Sequence, residues 1–142
     1  MIDTLAGFSV SVAGIVIDRQ QVLLIQRADN QLWEPPGGVL EHDETFAEGV
    51  RREVFEETGI FVDVHEMTGC YLNLPRRIVA LVFRCTPISG APTITAESTA
   101  TEWVPLNEAM TRLRPVFAVR LADAIADRGY TAVRTHDGHT VL

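Results

Sequence analysis

Gly38-Val-Leu-Glu-His-Asp-Glu44, followed after seven residues by Arg52-Glu53-Val54-Phe55-Glu56-Glu57-Thr58-Gly59-Ile60, is the stretch on which the reading of this chain turns. From Glu44 to Thr58 there is no proline, most residues tolerate a helix, and Gly59 stands where a helix would stop. At about 100° per residue, Glu53, Glu56 and Glu57 fall on one helix face. Gly49 lies one turn earlier in the same sector, where its missing side chain would leave room for a ligand. Ala47, Val50 and Val54 fill the neighbouring sector and face a core, which puts the three carboxylates at the core's edge.

Three like charges on one face repel, and partial desolvation makes the repulsion worse. A divalent cation removes that cost, and an all-oxygen ligand set suits Mg²⁺ or Mn²⁺ rather than zinc. The competing reading, a solvated acidic helix face, leaves unexplained why a Gly-Gly pair, Glu44, Arg52, three glutamates and Gly59 coincide at fixed spacing.

Outward from this helix, Phe8, Val10 and Val12 alternate with Ser9 and Ser11, and Gly14 to Ile17 runs apolar up to a polar turn at Asp18 to Gln21. Val22 to Ile25 then reads as a second strand. Arg27 to Gly38 contains Asn30, Pro35, Pro36, Gly37 and Gly38 and is expected to be a loop. Strands are expected at Phe61 to Val64, Gly69 to Leu74 and Ile78 to Cys85, then a Gly/Pro/Ser/Thr-rich connection from Pro87 to about Thr99. Trp103-Val104-Pro105 reads as a last short strand, and Leu106 to Arg128 as helix broken near Arg114-Pro115. This order implies a single α/β domain over residues 1–142, a mixed β-sheet flanked by helices.

At 142 residues and 46% hydrophobic content, the chain suffices for one core without disulfides or structural metal. A net charge of -7 argues against a protein that wraps a nucleic acid polymer. Cys70 and Cys85 are far apart and lack metal-ligand spacing, so they read as reduced thiols. The N-terminal stretch carries Asp3 and no basic flank, unlike a signal peptide, and nothing approaches the roughly 18 apolar residues of a membrane span. A cytoplasmic protein without membrane partner is the expectation.

The pattern from Gly38 to Ile60 resembles the signature of the Nudix hydrolases, G-x5-E-x7-R-E-U-x-E-E-x-G-U with U a bulky aliphatic residue. Gly38, Glu44, Arg52, Glu53, Val54, Glu56, Glu57, Gly59 and Ile60 satisfy every specified position. The resemblance extends to Trp33-Glu-Pro-Pro-Gly-Gly38 and to the stretch from Glu97 to Trp103; Asp43 departs from the glycine many members carry there. It implies a Nudix-type α/β/α sandwich with a mixed β-sheet, and Mg²⁺-dependent (or Mn²⁺-dependent) hydrolysis of a phosphoanhydride in a small nucleotide substrate. In this family the glutamates matching Glu53, Glu56 and Glu57 bind the metal, often with a carbonyl from the Gly-Gly pair, here Gly37 or Gly38. The arginine matching Arg52 orients a box glutamate, and Glu44 fixes loop-helix geometry. The resemblance offers as general base a loop glutamate, for which Glu97 is the candidate; the other option is a metal-bound water next to Glu53 or Glu57.

Arg27, Arg76 and Arg77 are candidate phosphate contacts, and Trp33, Tyr71 and Phe83 candidate stacking residues, each also readable as ordinary surface or core. His42 in the box loop reads as a surface histidine. Pro75 is placed as in ADP-ribose-hydrolysing members. The expected substrate is a nucleoside diphosphate linked to another moiety, such as ADP-ribose or a nucleotide sugar. The alternatives are a nucleoside triphosphate pyrophosphohydrolase that clears oxidised nucleotides, and a non-catalytic ligand-binding module. The family is often dimeric, so a homodimer is possible.

Overall fold

The structure, a computed structural model, describes residues 7–126 and 128–142. The order of elements is β1 (Ser9–Asp18), β2 (Gln21–Arg27), β3 (Trp33–Glu34), β4 (Gly37–Val39), α1 (Phe46–Thr58), β5 (Phe61–Asn73), β6 (Ile78–Ser89), β7 (Ser98–Pro105), α2 (Leu106–Arg112), α3 (Pro115–Ile125) and β8 (Ala132–His136). The sheet runs β3-β2-β1-β6-β5-β8, with β4 added to β1 and β7 to β2. It is mixed as expected: β1 lies parallel to β6 and β5 parallel to β8, while β5 and β6 are antiparallel.

Alternation along β1 builds the two cores. Val12 and Val16 point to one face, where Val50 and Val54 of α1 pack with Ile60 and Val62. Ala13 and Ile15 point to the other, against Leu113, Leu121 and Ala124 around α2 and α3. Gly14 lets α1 come close, since a Cβ there would stand 3.0 Å from Val54 and 3.3 Å from Val50. The result is the expected α/β/α sandwich, α1 on one face and α2 and α3 on the other. Among the described residues no helix is long and apolar enough to cross a membrane.

Helix α1 is set at both ends by local chemistry. The Thr45 hydroxyl accepts from the Glu48 N–H, and the Glu48 carboxylate accepts from the Thr45 N–H, a reciprocal capping box. Gly59 ends the helix at φ +77°, a conformation that costs a glycine nothing.

Three expectations are corrected. The stretch from Arg27 to Gly38 is not all loop: Trp33 and Glu34 pair with β2, and Gly37 to Val39 pair with β1, in the register Val12 to Gly38 and Ala13 to Gly37. The strands foreseen at Phe61 to Val64 and Gly69 to Leu74 are one strand with irregular register between Val64 and Gly69. The strand at Trp103 begins at Ser98 and is not the last, because β8 follows α3.

Candidate active site

The Gly37-Gly38 strand lies beside α1, and this brings the carboxylates together. Glu53 and Glu57 sit on the buried face of α1, 8% and 4% exposed. Glu97, just ahead of β7, reaches the same point: one carboxylate oxygen from each of Glu53, Glu57 and Glu97 lies within 4.8 Å of the others. Glu97 is held there by the β2–β7 pairing, where a register shift at Gln26 and Arg27 brings Ser98 opposite Arg27. The buried Ser98 hydroxyl donates to the Glu57 carbonyl at 3.4 Å, tying the strand to the helix.

The glycines work by what they lack. A Cβ on Gly38 would stand 2.6 Å from the Glu53 carboxyl carbon, and one on Gly37 would stand 2.6 Å from the Val12 carbonyl oxygen. The Gly37 N–H also donates to Glu57 Oε1 at 3.0 Å. Gly49 has a different use from the one expected. Its missing side chain admits Leu40 and Glu44, whose atoms would lie 2.8 and 3.0 Å from a Cβ there, so it serves packing and not ligand approach.

Arg52 is the hub of the acidic face. Its guanidinium donates to both Glu44 oxygens at 2.6 and 3.0 Å, to Glu53 at 2.7 Å, to Glu56 at 3.3 Å and to the Val39 carbonyl at 3.2 Å. It holds the Glu44 carboxyl down at about 2, helped by the Glu41 N–H. Glu56 is half exposed and turned to Arg52 instead of joining Glu53, Glu57 and Glu97. Glu57 behaves oppositely to Glu44. Burial, then the hydrogen-bonded Glu53 carboxyl beside it, push its pKa up to about 9 against the pull of the Gly37 N–H. Two buried carboxyls side by side, one of which any side chain on Gly38 would displace, fit a divalent cation with oxygen ligands.

A cavity of about 470 Å³ opens beside this cluster, with Gly37, Gly38 and Glu34 on its wall. Arg27, Pro75 and Arg76 line it, while Arg77, next in the turn, does not. Arg27 is already engaged, donating to Asp29 at 2.6 and 2.8 Å and to Glu34 at 3.2 Å. Trp33 is corrected as a stacking candidate: it packs against the core beneath the guanidinium of Arg112, 4.6 Å from its ring centroid. Tyr71 is fully buried and donates to Asp123 at 2.7 Å, Phe83 packs in the α1 core, and His42 is exposed. Cys70 and Cys85 are free, and burial pushes the Cys85 thiol up to about 12, which leaves it inert.

Among the cavity residues that escaped the sequence reading are Glu34, Arg114, Arg120 and His136. Arg120 had a signal, for it stands midway between Val116 and Ala124 on the buried face of α3, where an apolar residue is expected. His136 had none, since β8 itself was not foreseen.

Residues 7–127 match the family model for the NUDIX domain. A "MutT-like protein" of Streptomyces ambofaciens is 54% identical over 135 residues, covering 94% of this chain and 87% of the relative. An "ADP-ribose pyrophosphatase" of Methanocaldococcus jannaschii is 32% identical over 106 residues, covering 70% of this chain and 63% of that one. Among solved structures, a NUDIX hydrolase from Nitrosomonas europaea superposes with a TM-score of 0.81 at 22% identity, covering 92% of this chain and 80% of that chain. With a complete box folded into one carboxylate cluster and these likenesses, the chain belongs to the Nudix hydrolases and is a pyrophosphohydrolase of that family.

Proposed function

We propose that the enzyme hydrolyses the phosphoanhydride of a nucleoside diphosphate linked to another moiety, of the ADP-ribose or nucleotide-sugar kind, with Mg²⁺ or Mn²⁺. The observation that carries this is the meeting of Glu53, Glu57 and Glu97 against the Gly37-Gly38 strand, which itself lines a cavity large enough for a nucleotide portion. The likeness to the ADP-ribose pyrophosphatase of Methanocaldococcus jannaschii supports the substrate class.

Glu53 and Glu57, with the carbonyl of Gly37 or Gly38, would hold the metal, and Glu56 would join as a ligand by turning from Arg52. A bound divalent cation supplies charge neutralisation for the diphosphate and lowers the pKa of an attacking water. Arg52 keeps Glu53 in one orientation and Glu44 keeps Arg52 in place. Glu97, exposed and at the open side of the cluster, accepts the proton of the attacking water. Arg76 lies where it would meet the substrate, and Arg27 would do so by leaving Asp29. Two unpaired thiols fit a reducing compartment such as the cytoplasm.

The test is product release from ADP-ribose, nucleotide sugars, dinucleoside polyphosphates and canonical or oxidised triphosphates, with Mg²⁺ and with chelator. Metal-dependent formation of AMP and a sugar phosphate is expected. Pyrophosphate release from triphosphates alone would overturn the substrate class, and silence across the panel with metal bound would overturn catalysis.

A further inference from the structure

The cavity holds three buried polar atoms that nothing in the described residues satisfies: Arg114 Nε, Arg120 Nε and His136 Nε2. All three side chains line the cavity. Each of these atoms is a donor. A guanidinium has no acceptor. The His136 Nδ1 accepts the Gly138 N–H at 3.0 Å, so in the neutral ring the proton is on Nε2.

Three carboxylates line the same cavity and each has another partner: Asp29 and Glu34 accept from Arg27, and Asp137 accepts the His139 and Thr140 N–H groups. Arg120 is 9% exposed, and among the described residues neither it nor Arg114 forms an ion pair. Aromatic rings take the guanidinium faces: Arg120 lies 5.0 Å from the centroids of both Tyr71 and Phe117, and Arg114 lies 5.1 Å from that of Phe117. The stacking explains how Arg120 is held and leaves its N–H edge unused. The carboxylate whose charge both arginines feel, Glu34, is bonded to Arg27. Burial lowers the Arg120 pKa to about 10, which still leaves it charged at neutral pH. Two cations and a third donor that line one cavity with no acceptor bonded to the three buried atoms are complemented by an acceptor-only anion, and a tetrahedral dianion matches both charge and donor count. A nucleobase edge would take some of the donors and leave the charge uncompensated.

We propose that this part of the cavity is a phosphate subsite, in which Arg114, Arg120 and His136 bind a phosphomonoester of the substrate away from the scissile anhydride. Giving that phosphate to a substrate rests on the hydrolase reading above; the binding of phosphate does not.

The experiment is a titration of the metal-free protein, in chelator, with inorganic phosphate, followed by calorimetry and by the ring resonances of His136. Saturable binding with a shift of the His136 signals is expected, at least about tenfold weaker in R120Q and in H136Q. R120K, which keeps the charge and loses the fork, serves if R120Q does not fold. E57Q, altered in the carboxylate cluster, is expected to bind phosphate as the wild type does. No saturable binding, or binding unchanged in the Arg120 and His136 variants, overturns the subsite. A second arm compares kcat/KM with Mg²⁺ for pairs differing by one phosphomonoester, ADP-ribose 2′-phosphate against ADP-ribose and coenzyme A against its dephospho form. A preference of at least about tenfold that collapses in R120K is expected. Equal rates in every pair remove the phosphate from the substrate, whereas inactivity on all four with phosphate binding intact overturns the hydrolase reading alone.

Discussion

Gly38 and Glu53 are packed so that any side chain at the first would displace the second: a Cβ on Gly38 would stand 2.6 Å from both the carboxyl carbon and Oε1 of Glu53. Gly38 does not hold a positive φ, so alanine fits its backbone. Gly38→Ala is therefore expected to fold and to lose at least about tenfold in both Mn²⁺ affinity and kcat/KM. Calorimetric metal titration beside circular dichroism reads this. Unchanged metal affinity would separate Gly38 from the metal site.

Glu57, with its pKa raised from 4.5 to about 9, makes the metal-free protein pH-sensitive in a definite direction. Between those values the folded chain keeps a proton that the unfolded chain releases, so stability falls as pH rises and is highest below the unfolded value. Thermal melts in chelator are expected to drop from pH 5 to pH 9. Mg²⁺ is expected to raise the melting temperature more at pH 8.5 than at pH 6. A flat profile in Glu57→Gln assigns the effect to this group; an equally steep one places it elsewhere.

The same Glu57→Gln keeps the size of the side chain and its contact with the Gly37 N–H while removing the charge. It is expected to lower kcat about a hundredfold or more with the fold intact. Normal turnover would remove Glu57 from the mechanism.

Arg52→Lys keeps one positive charge but cannot bond both Glu44 oxygens, Glu53 and the Val39 carbonyl together. The expected result is a loss in kcat of about ten- to a hundredfold. Stability in acid is also expected to change. Glu44, held at about 2 by Arg52, favours the folded state above pH 4.5, and this contribution disappears as pH falls toward 2. Acid-unfolding curves should therefore be less steep in the variant over that range, and coincident curves would contradict the hub role.

Glu97→Gln tests the base. The residue is exposed, so the melting temperature is expected to stay within a degree or two of the wild type. A fall in kcat of about a hundredfold or more, with metal affinity kept, is the expected outcome. If metal affinity falls in parallel, Glu97 is a ligand instead.

Much of the site was legible because it depends on spacing along one helix. Glu53 and Glu57 share a face whatever packs against it, and Gly59 marks the helix end by local geometry. What stayed hidden depends on pairing. Gly37 to Val39 has no strand propensity and becomes a strand because β1 offers it a free edge. In β5, the exposed His65 and Glu66 interrupt the apolar pattern, yet the pairing with β6 continues past them through a bulge. Trp33 looked available from its neighbours in sequence and is covered by Arg112, far along the chain.

By itself, the sequence determined the chemistry of the carboxylate helix and the order of most elements, since both follow from periodicity and from glycines at set positions. Only the tertiary structure decided that Glu97 joins Glu53 and Glu57, that Glu56 turns away to Arg52, and that Arg114, Arg120 and His136 share one cavity. The physical reason is that these relations are made by strand register and helix docking between distant segments, where burial and unmet hydrogen bonds appear only once the sheet is closed.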